Sequence, residues 1–309
     1  MKYSEWLNFW LENYIKPSVK QKTYLRYKEI VEKQIGEQFD VYGLNELTPM
    51  LFQQFVTELL TSGNAKTGGG LSASSVNSVI TVIQNSLQTA YNLGYIQSEI
   101  GGKIKRPKLK EKQVSCFTVA EQKLIEQEIL KSNKPKMKGV LICLYTGLRI
   151  GELLALEWTD VDLAKGELSV TKTCFDGKDK NGVFCRITNA PKTDTSVRVI
   201  PIPKQLMPML KDMRKVAKNQ YVISDSEKTL AIRSYQRSFE RLLKKLGISH
   251  RGFHSLRHTF ATRALEVGVD VKTLSEILGH KNANITLQRY AHSMLEHKRD
   301  MMNQIGKML

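Results

Sequence analysis

Apolar residues recur at the three- and four-residue spacing of amphipathic helices throughout the first hundred positions of the chain. Glycine or proline interrupts this pattern four times, which predicts four helices that end near Pro17, Gly36, Gly63 and Gly94. Candidate N-terminal caps mark three of them: Ser4, Thr48 and Ser72. The side chains expected to face the core are Trp6, Phe9, Trp10, Tyr14, Tyr24, Tyr27, Val31, Phe52, Phe55, Leu59, Val76, Val79, Ile80, Ile83, Leu87 and Tyr91. Because each helix has an apolar face, residues 1–100 are predicted to form a small helical bundle.

The pattern changes beyond residue 113, where short β-like runs separate helical segments. Strands are predicted over 166–170, 182–188 and 196–202, and the last two flank the turn-rich sequence NAPKTDT, which indicates a hairpin. A capping box, Thr118 to Glu121, opens the first helix of this part. Further helices are predicted over 138–146, 204–217, 233–246, 254–267, 271–278 and 284–305. Residues 114–309 should therefore form a mostly helical domain with a small antiparallel β-sheet, and the whole chain is predicted to be mainly α.

Positive charge is unevenly distributed along the 309 residues. The chain has 47 Lys and Arg against 30 Asp and Glu, and the net charge of +17 favours a polyanionic partner, most often nucleic acid and less often an anionic membrane surface. Residues 1–100 carry −1, residues 101–113 carry +5 and residues 114–309 carry +13. The segment 101–113 (GGKIKRPKLKEKQ) is predicted to be a basic interdomain linker, which could follow a phosphate backbone or be only a soluble tether. The alternative explanation of the net positive charge is a basic surface that keeps the protein soluble.

Composition and targeting signals exclude several classes of protein. An apolar content of 41% and a charged content of 25% are ordinary for a globular protein and argue against disorder or a fibre. The N-terminal sequence is amphipathic and contains Glu5 and Glu12, so it lacks the apolar run of a signal peptide. No uninterrupted apolar stretch approaches the ~18 residues of a transmembrane helix. Scattered cysteines without zinc-site spacing favour reduced thiols in a cytoplasmic protein: Cys116, Cys143, Cys174 and Cys185.

Candidate chemistry lies in the basic second domain, in polar residues that packing alone does not require: Arg149, Lys192, His254, Arg257, His280 and Tyr290. Each of them alone is more often a surface charge, a structural histidine or a core tyrosine. As a set they could act on a phosphodiester, because guanidiniums bind phosphate oxygens bidentately and imidazoles donate hydrogen bonds or transfer protons. A lysine can protonate a leaving alkoxide and a phenol can attack phosphorus. The sequence has no cluster of metal-binding carboxylates, so no metal or other cofactor is expected and cationic side chains would take the place of metal ions.

Four sequence strings in this domain resemble the tyrosine recombinases of the phage-integrase type. They are TGLRIGELLALEW (146–158), PKTDTSVRVIPIP (191–203), HSLRHTFATRALEVGVD (254–270) and LGHKNANITLQRYAH (278–292). The order Arg, Lys, His-x-x-Arg, His, Tyr matches the family's catalytic set, and the sequence from Glu5 to Ile35 is similar to its helical core-binding domain. The resemblance spans nearly the whole chain. It implies the DNA breaking-rejoining enzyme fold, with residues 1–100 as the core-DNA-binding domain and residues 114–309 as the catalytic domain.

The resemblance also implies how the scissile phosphate is held. Arg149 and Arg257 would clamp it, and His280 would join them in stabilising the negative pentacoordinate transition state. Glu152, at the family's frequent acidic position after the first arginine, is expected to orient Arg149 rather than to react.

The same resemblance implies roles in bond breaking for three further residues. Tyr290 would attack phosphorus to give a 3′-phosphotyrosyl link, and Lys192, at the tip of the predicted hairpin, would protonate the leaving 5′-oxygen. His254 would assist proton movement at the nucleophile, whereas a structural role is favoured for His258. The covalent ester conserves the energy of the cut bond, so rejoining would need no ATP.

The implied activity is conservative site-specific recombination of duplex DNA, by integration, excision or inversion. The implied partners are double-stranded DNA with specific recombination sites, further copies of the chain in a tetramer on DNA, and accessory DNA-bending or directionality proteins. The C-terminal tail has apolar residues at helical spacing (Leu295, Met302, Ile305 and Leu309). It could pack on its own domain or dock on a neighbouring subunit, and both alternatives remain open.

Two features qualify the match. The sequence similar to the core-binding domain begins almost at Met1, so the arm-binding domain of many integrases is expected to be absent. The segment 172–190 is longer and more polar than a tight hairpin requires, and both a loop near DNA and a neutral insertion remain open. Two rival functions also remain: a type IB topoisomerase-like nicking and rejoining enzyme, and a non-catalytic DNA-binding protein of the same fold.

Overall fold

A computed structural model describes residues 1–64, 67–109, 115–178, 184–189, 197–224, 226–280 and 282–290, together with residues 302, 303 and 306. The chain divides into two units, residues 1–112 and 113–309, and each has a hydrophobic core of its own. Within the described ranges, no helix is both long enough and apolar enough to cross a membrane.

The first unit is built of helices: α1 (Tyr3–Trp10), α2 (Lys16–Ser18), α3 (Gln21–Ile30), α4 (Gly36–Phe39), α5 (Pro49–Thr61) and α6 (Ala73–Asn92). π-helical segments at Leu11–Ile15 and Val31–Ile35 join α1 to α2 and α3 to α4, so each pair forms one continuous rod. Thr48 and Ser72 cap α5 and α6, since their side-chain oxygens accept backbone amides of the following turn. These two predicted caps are confirmed.

Three expectations for the first unit are wrong. Gly36 does not end a helix, because it adopts the ordinary right-handed conformation and the rod continues to Phe39. Ser4 lies inside α1, where its hydroxyl donates to the carboxylate of Asp40 instead of capping the helix. Some aromatic side chains assigned to the core are exposed by 38–42%: Phe9, Tyr14 and Tyr91. The buried face of these helices is therefore narrower than the apolar pattern.

The first part of the predicted linker packs against the first unit. Ile104 is buried in the core of that unit. Arg106 is fastened to α6 by hydrogen bonds to the carbonyl of Asn77 and the side chains of Thr81 and Gln84. This differs from the extended linker predicted over 101–113, because Ile104 among the basic residues packs into the core of the first unit. Residues 110–114 lie outside the described part of the chain.

The helices of the second unit are α7 (Val119–Leu130), α8 (Pro135–Thr146), α9 (Ile150–Ala155), α10 (Met207–Lys215), α11 (Ile232–Lys245), α12 (His254–Glu266), α13 (Val271–Leu278) and α14 (Ala283–Tyr290). The predicted capping box at the start of α7 is confirmed, since Thr118 and Glu121 each accept the other's backbone amide. The second half of α8 is largely buried, and α12 packs directly against it. This contact places the first turns of α12 beside the end of α8 at Gly147.

The described strands of the second unit are β1 (Val161–Asp162), β2 (Glu167–Val170), β3 (Thr173–Lys178), β4 (Phe184–Asn189) and β5 (Arg198–Pro201). They form an antiparallel sheet in the order β1-β2-β5 and a separate antiparallel ribbon of β3 and β4. The hairpin predicted between 182–188 and 196–202 is therefore wrong. Leu168 of β2 faces Ile200 of β5, and both are buried, so burial of apolar side chains selects β2 as the partner of β5. The polar segment 172–190 instead contains both strands of the ribbon.

Candidate functional site

Three arginines from different elements converge on the C-terminal end of α13. They donate to three consecutive backbone carbonyls: Arg198 Nε to Ile277 O at 2.5 Å, Arg257 Nη2 to Leu278 O at 2.7 Å and Arg149 Nη2 to Gly279 O at 3.0 Å. The last carbonyls of a helix have no partner within the helix and carry partial negative charge, so cationic side chains are stabilised there. The end of α13 therefore holds three positive charges side by side.

Gly279 allows this close approach. It ends α13 in the left-handed conformation with φ of +64°, which a residue with a side chain adopts only at a cost. A Cβ atom at this position would also lie 3.0 Å from Nη1 of Arg198. Both the backbone conformation and the neighbouring guanidinium therefore favour glycine at this position.

Arg257 is a buried charge with only 2% of its surface exposed. It lies in the first turn of α12, and its Nη1 donates to the carbonyl of Gly147 at 2.8 Å, while Nη2 donates to Leu278. A buried guanidinium without such acceptors would be strongly destabilising. Arg257 therefore ties the end of α8 to the end of α13.

Glu152 bridges two of the arginines with a carboxylate that is only 6% exposed. Its Oε2 accepts the backbone amide of Arg149 at 2.9 Å and Nη2 of Arg198 at 2.8 Å, and its Oε1 accepts Nη1 of Arg149 at 2.8 Å. Burial opposes ionisation, but the hydrogen bond and charge of Arg198, followed by the charge of Arg149, hold the pKa of Glu152 below its ordinary value. The carboxylate is therefore ionised at neutral pH, and it contacts Arg149 as predicted.

His280 directly follows Gly279 and is held from both sides. Nη2 of Arg257 lies 2.9 Å from its Nε2, and Oγ1 of the buried Thr286 in α14 lies 2.7 Å from its Nδ1. A guanidinium can only donate hydrogen bonds, so Nε2 accepts in this arrangement. The ring proton of the neutral imidazole is then on Nδ1, where Thr286 accepts it.

His254 begins α12, one turn before Arg257, and is exposed. Its ring packs edge-to-face against that of His258, with centroids 4.5 Å apart and an interplanar angle of 85°. His258 thus supports the ring of His254 from the next turn of the helix.

The structure brings together Arg149, Arg257 and His280 among the six predicted residues, with His254 on the same helix as Arg257. Lys192 lies outside the described residues, in the connection between β4 and β5. The backbone of Tyr290 ends α14, whereas its side chain lies outside the described part.

Sequence reasoning missed two residues of this cluster, Arg198 and Thr286. An arginine that opens an apolar strand is an available signal for a buried ion pair, but its partner Glu152 is 46 residues away. The signal for Thr286 is weaker, because His280 lies outside α14 and its spacing from Thr286 predicts no contact.

Partly exposed positive charge is the chemical property that the cluster offers. The Arg149 side chain is 36% exposed, whereas Arg198 behind it is 7% exposed. A guanidinium presented in this way suits an oxyanion such as a phosphate group. Across the described ranges, no three His, Cys, Asp or Glu residues are grouped so that they could hold a metal ion. The four cysteines are free thiols.

Comparison with known protein sequences yields two family matches. The phage integrase family matches residues 109–297, and the phage integrase N-terminal SAM-like domain matches residues 2–60. A tyrosine recombinase XerC-like protein of Caldanaerobacter subterraneus subsp. tengcongensis is 30% identical over 94% of this chain and 79% of the relative. The ICEBs1 integrase of Bacillus subtilis is 25% identical, again over 94% of this chain and 79% of the relative.

Solved structures share the fold of the chain. The Tn1549 transposon integrase in complex with a circular intermediate DNA has a TM-score of 0.79 at 21% identity and covers 99% of both chains. A lambda integrase dimer bound to a COC′ core site has a TM-score of 0.69 at 21% identity, over 92% of this chain and 97% of the other. These likenesses confirm the mainly α fold class with small antiparallel sheets.

Proposed function

The chain belongs to the phage integrase family and is a tyrosine-type site-specific DNA recombinase; we propose that it cuts and rejoins duplex DNA at the end of α13 through a 3′-phosphotyrosyl intermediate. The observation that carries this proposal is the convergence of Arg149, Arg257 and His280 on one helix terminus. A preorganised set of cationic donors stabilises the negative charge that develops on a phosphate under attack.

Arg149 and Arg257 form the phosphate clamp of the proposed site. Carbonyl groups of α13 and α8 fix both guanidiniums before DNA arrives, so little rearrangement is needed when the phosphate binds. Glu152 fixes the backbone and side chain of Arg149 together. The role predicted for Glu152, to orient and not to react, agrees with its burial.

His280 joins the clamp through Arg257. Nε2 of His280 accepts a hydrogen bond from Nη2 of Arg257. When a phosphate oxygen accepts the hydrogen bond of Arg257 instead, Nε2 of His280 is free to bind a proton. The resulting imidazolium then donates a hydrogen bond to the same phosphate. Binding of the phosphate and protonation of His280 are coupled in this scheme.

Tyr290 is the proposed nucleophile. Its phenolic oxygen attacks phosphorus, the bond from phosphorus to the 5′-oxygen breaks, and a 3′-phosphotyrosyl ester forms. Lys192 supplies the proton that the leaving 5′-oxygen takes up, and His254 receives the phenolic proton. The reverse attack by the 5′-hydroxyl of another strand restores a phosphodiester without ATP.

A basic face of α11 is the proposed DNA-binding surface of the catalytic unit. The buried side of this helix carries Tyr235, Phe239, Leu242 and Leu243. Its exposed side carries cations at helical spacing: Arg233, Arg237, Arg241 and Lys244. An array of cations along one helix face can follow the phosphates of a duplex. Residues 1–100 are proposed to supply the second DNA-binding unit, and the basic segment 101–113 is proposed to follow the phosphate backbone.

Self-association is part of the proposal, because exchange between two duplexes requires four strand cleavages. The working form is accordingly a tetramer on DNA. The tail over 296–309, which apart from residues 302, 303 and 306 lies outside the described residues, is proposed to dock on a neighbouring subunit. Accessory DNA-bending or directionality proteins and a cytoplasmic location stay predictions.

Covalent trapping from a random DNA pool tests the proposed function. The protein is incubated with nicked duplexes of randomised sequence, in which loss of a short strand prevents rejoining, and denatured protein–DNA adducts are isolated and sequenced. The expected result is an adduct enriched in one sequence motif. An adduct without a motif, together with relaxation of any supercoiled plasmid, would indicate a topoisomerase. Binding without an adduct would indicate a non-catalytic protein.

A further inference from the structure

Arg198 lies behind the proposed phosphate clamp, and its guanidinium bonds to residues of α9 and α13. Its Nε donates to the carbonyl of Ile277, its Nη2 donates to Oε2 of Glu152 at 2.8 Å, and its Nη1 lies 3.3 Å from Oε1 of Glu152. Only 7% of the side chain is exposed, so solvent screens these contacts little. We propose that Arg198 is a positioning residue, which occupies the carboxylate of Glu152 and thereby leaves the guanidinium of Arg149 available to the phosphate.

The hydrogen-bond geometry of Glu152 supports this assignment. Its two oxygens have about four acceptor sites. Arg149 takes two of them, through its backbone amide and Nη1, and Arg198 takes the other two. Without Arg198, two buried acceptor sites would lack partners, and Arg149, which already contacts the same carboxylate, could fill them. The carboxylate would then compete with phosphate for Arg149 and draw its Nη2 away from Gly279.

The charges lead to the same conclusion. Arg149, Arg198 and Glu152 together carry +1, whereas Arg149 and Glu152 alone carry no net charge. Because the group is buried behind Arg149, loss of Arg198 removes positive potential at the phosphate without removing a group that touches it. Arg198 also fixes the last turn of α13, from which Arg149 and Arg257 take their carbonyl partners. This inference rests on the proposed function, since it specifies how the phosphate clamp is kept open.

The test is the pH dependence of single-turnover cleavage, with the nicked duplex recovered by covalent trapping as the substrate. Arg198→Met removes the charge, and Arg198→Lys keeps the charge but contacts one carboxylate oxygen at a time. Arg186→Met is the matched control, because Arg186 is a half-buried arginine of the same unit whose partners are Asp176 and Thr229. Glu152→Gln, which cannot ionise, identifies the part of the profile that depends on Glu152.

Loss of Arg198 should slow cleavage at neutral pH by about 10- to 100-fold, the effect of a misplaced reacting group. It should also move the acidic limb of the profile to higher pH. Among the described residues, the charged or titratable groups around Glu152 include Arg149, Arg198 and the Cys143 thiol of α8, with Asp160 and Lys172 lining the same small cavity. Arg198 is the first of the charges that lower the pKa of Glu152. When the pKa of a carboxyl group is depressed, its negative charge is lost only as the pH falls through that low pKa. Removal of Arg198 raises the pKa of Glu152, so Glu152 should be protonated, and the rate should fall, at a higher pH. Arg198→Lys should show a smaller loss of rate and a limb closer to that of the wild type.

The outcomes separate this inference from the proposed function. A residue that only stabilises the fold would lower the rate in proportion to the folded fraction, measured by circular dichroism, and leave the limb in place. A wild-type adduct together with an unmoved limb in both Arg198 variants would overturn the inference alone. If Arg198→Met does not fold, the limb and rate of Arg198→Lys decide, and values equal to those of the wild type would count against the proposal. No adduct with the wild type would overturn the proposed function itself.

Discussion

Arg257 and His280 are in direct contact, with Nη2 of the guanidinium 2.9 Å from Nε2 of the imidazole. The contact joins the first turn of α12 to the residue after α13, two elements that the carbonyl of Leu278 also joins through Arg257. Because a guanidinium only donates, it fixes which imidazole nitrogen carries the proton. One buried arginine therefore holds the end of α13 and orients the ring of its neighbour His280.

Thr286→Val should impair cleavage more than it impairs folding. The valine keeps the shape of the buried side chain but removes the oxygen that accepts from Nδ1 of His280 at 2.7 Å. We expect single-turnover cleavage to fall about tenfold, the equivalent of one hydrogen bond of about 1.4 kcal/mol. Thr262→Val is the control, since Thr262 is also buried but contacts the thiol of Cys116. Equal rate losses in the two variants would contradict the role given to Thr286.

Gly279→Ala and Gly268→Ala form a matched pair for the close approach of Arg198. Both glycines follow helices and have positive φ, of +64° and +85°, so alanine costs about 1–2 kcal/mol of backbone strain at each. A Cβ at Gly268 meets nothing within 4 Å, whereas one at Gly279 meets Nη1 of Arg198 at 3.0 Å. Urea unfolding should therefore show a larger loss of stability for Gly279→Ala. Cleavage should fall in that variant alone, and equal effects in both would count against the packing argument.

Neutralising the exposed face of α11 should weaken DNA binding without unfolding the protein. For Arg237→Gln and Arg241→Gln, fluorescence anisotropy with a labelled duplex should show lower affinity. The slope of log affinity against log salt should fall by about 0.9 for each phosphate that the variant no longer neutralises. Lys215→Gln on α10 removes a cation that is exposed and paired with Asp212, so it should leave the slope unchanged. If the salt dependence of the affinity is the same in all three variants, the DNA does not bind along α11.

Local signals in the sequence were enough to predict several features of this fold. Asp270 caps α13 and Gly279 ends it as expected, because both effects depend on residues within one helical turn. The contact of Glu152 with Arg149 spans only three residues and was also predictable. The order of the family's motifs located Arg257 and His280, although spacing along the chain could not show that the two are in contact.

Features that depend on distant partners were not predictable from local pattern. β5 pairs with β2 across the inserted ribbon, since alternation of apolar residues does not specify which strand lies alongside. Gly36 was expected to end a helix, yet packing of the flanking apolar residues keeps the rod continuous. From the sequence alone, Arg198 is typical of an exposed residue on a strand. Only the fold shows that it pairs with the buried carboxylate of Glu152.

Lys192→Ala should be rescued by a change in the leaving group. If Lys192 protonates the 5′-oxygen, the alanine variant should cleave ordinary DNA slowly. It should recover most of its rate on a duplex with sulfur in place of that oxygen, because a thiolate leaves without protonation. The comparison uses single-turnover rates of wild type and variant on both duplexes. A rate loss of the same size on the sulfur duplex would exclude Lys192 as the general acid.

The most direct measurement is mass spectrometry of the covalent adduct. Protease digestion of the wild-type adduct should release a peptide in which Tyr290 carries the 3′-phosphate of the cut strand. Tyr290→Phe should bind the duplex but form no adduct, while Tyr221→Phe, a control in the same unit, should form it normally. An adduct that persists in Tyr290→Phe, or a 3′-phosphate linkage mapped to another residue, would contradict the assignment of Tyr290 as the nucleophile.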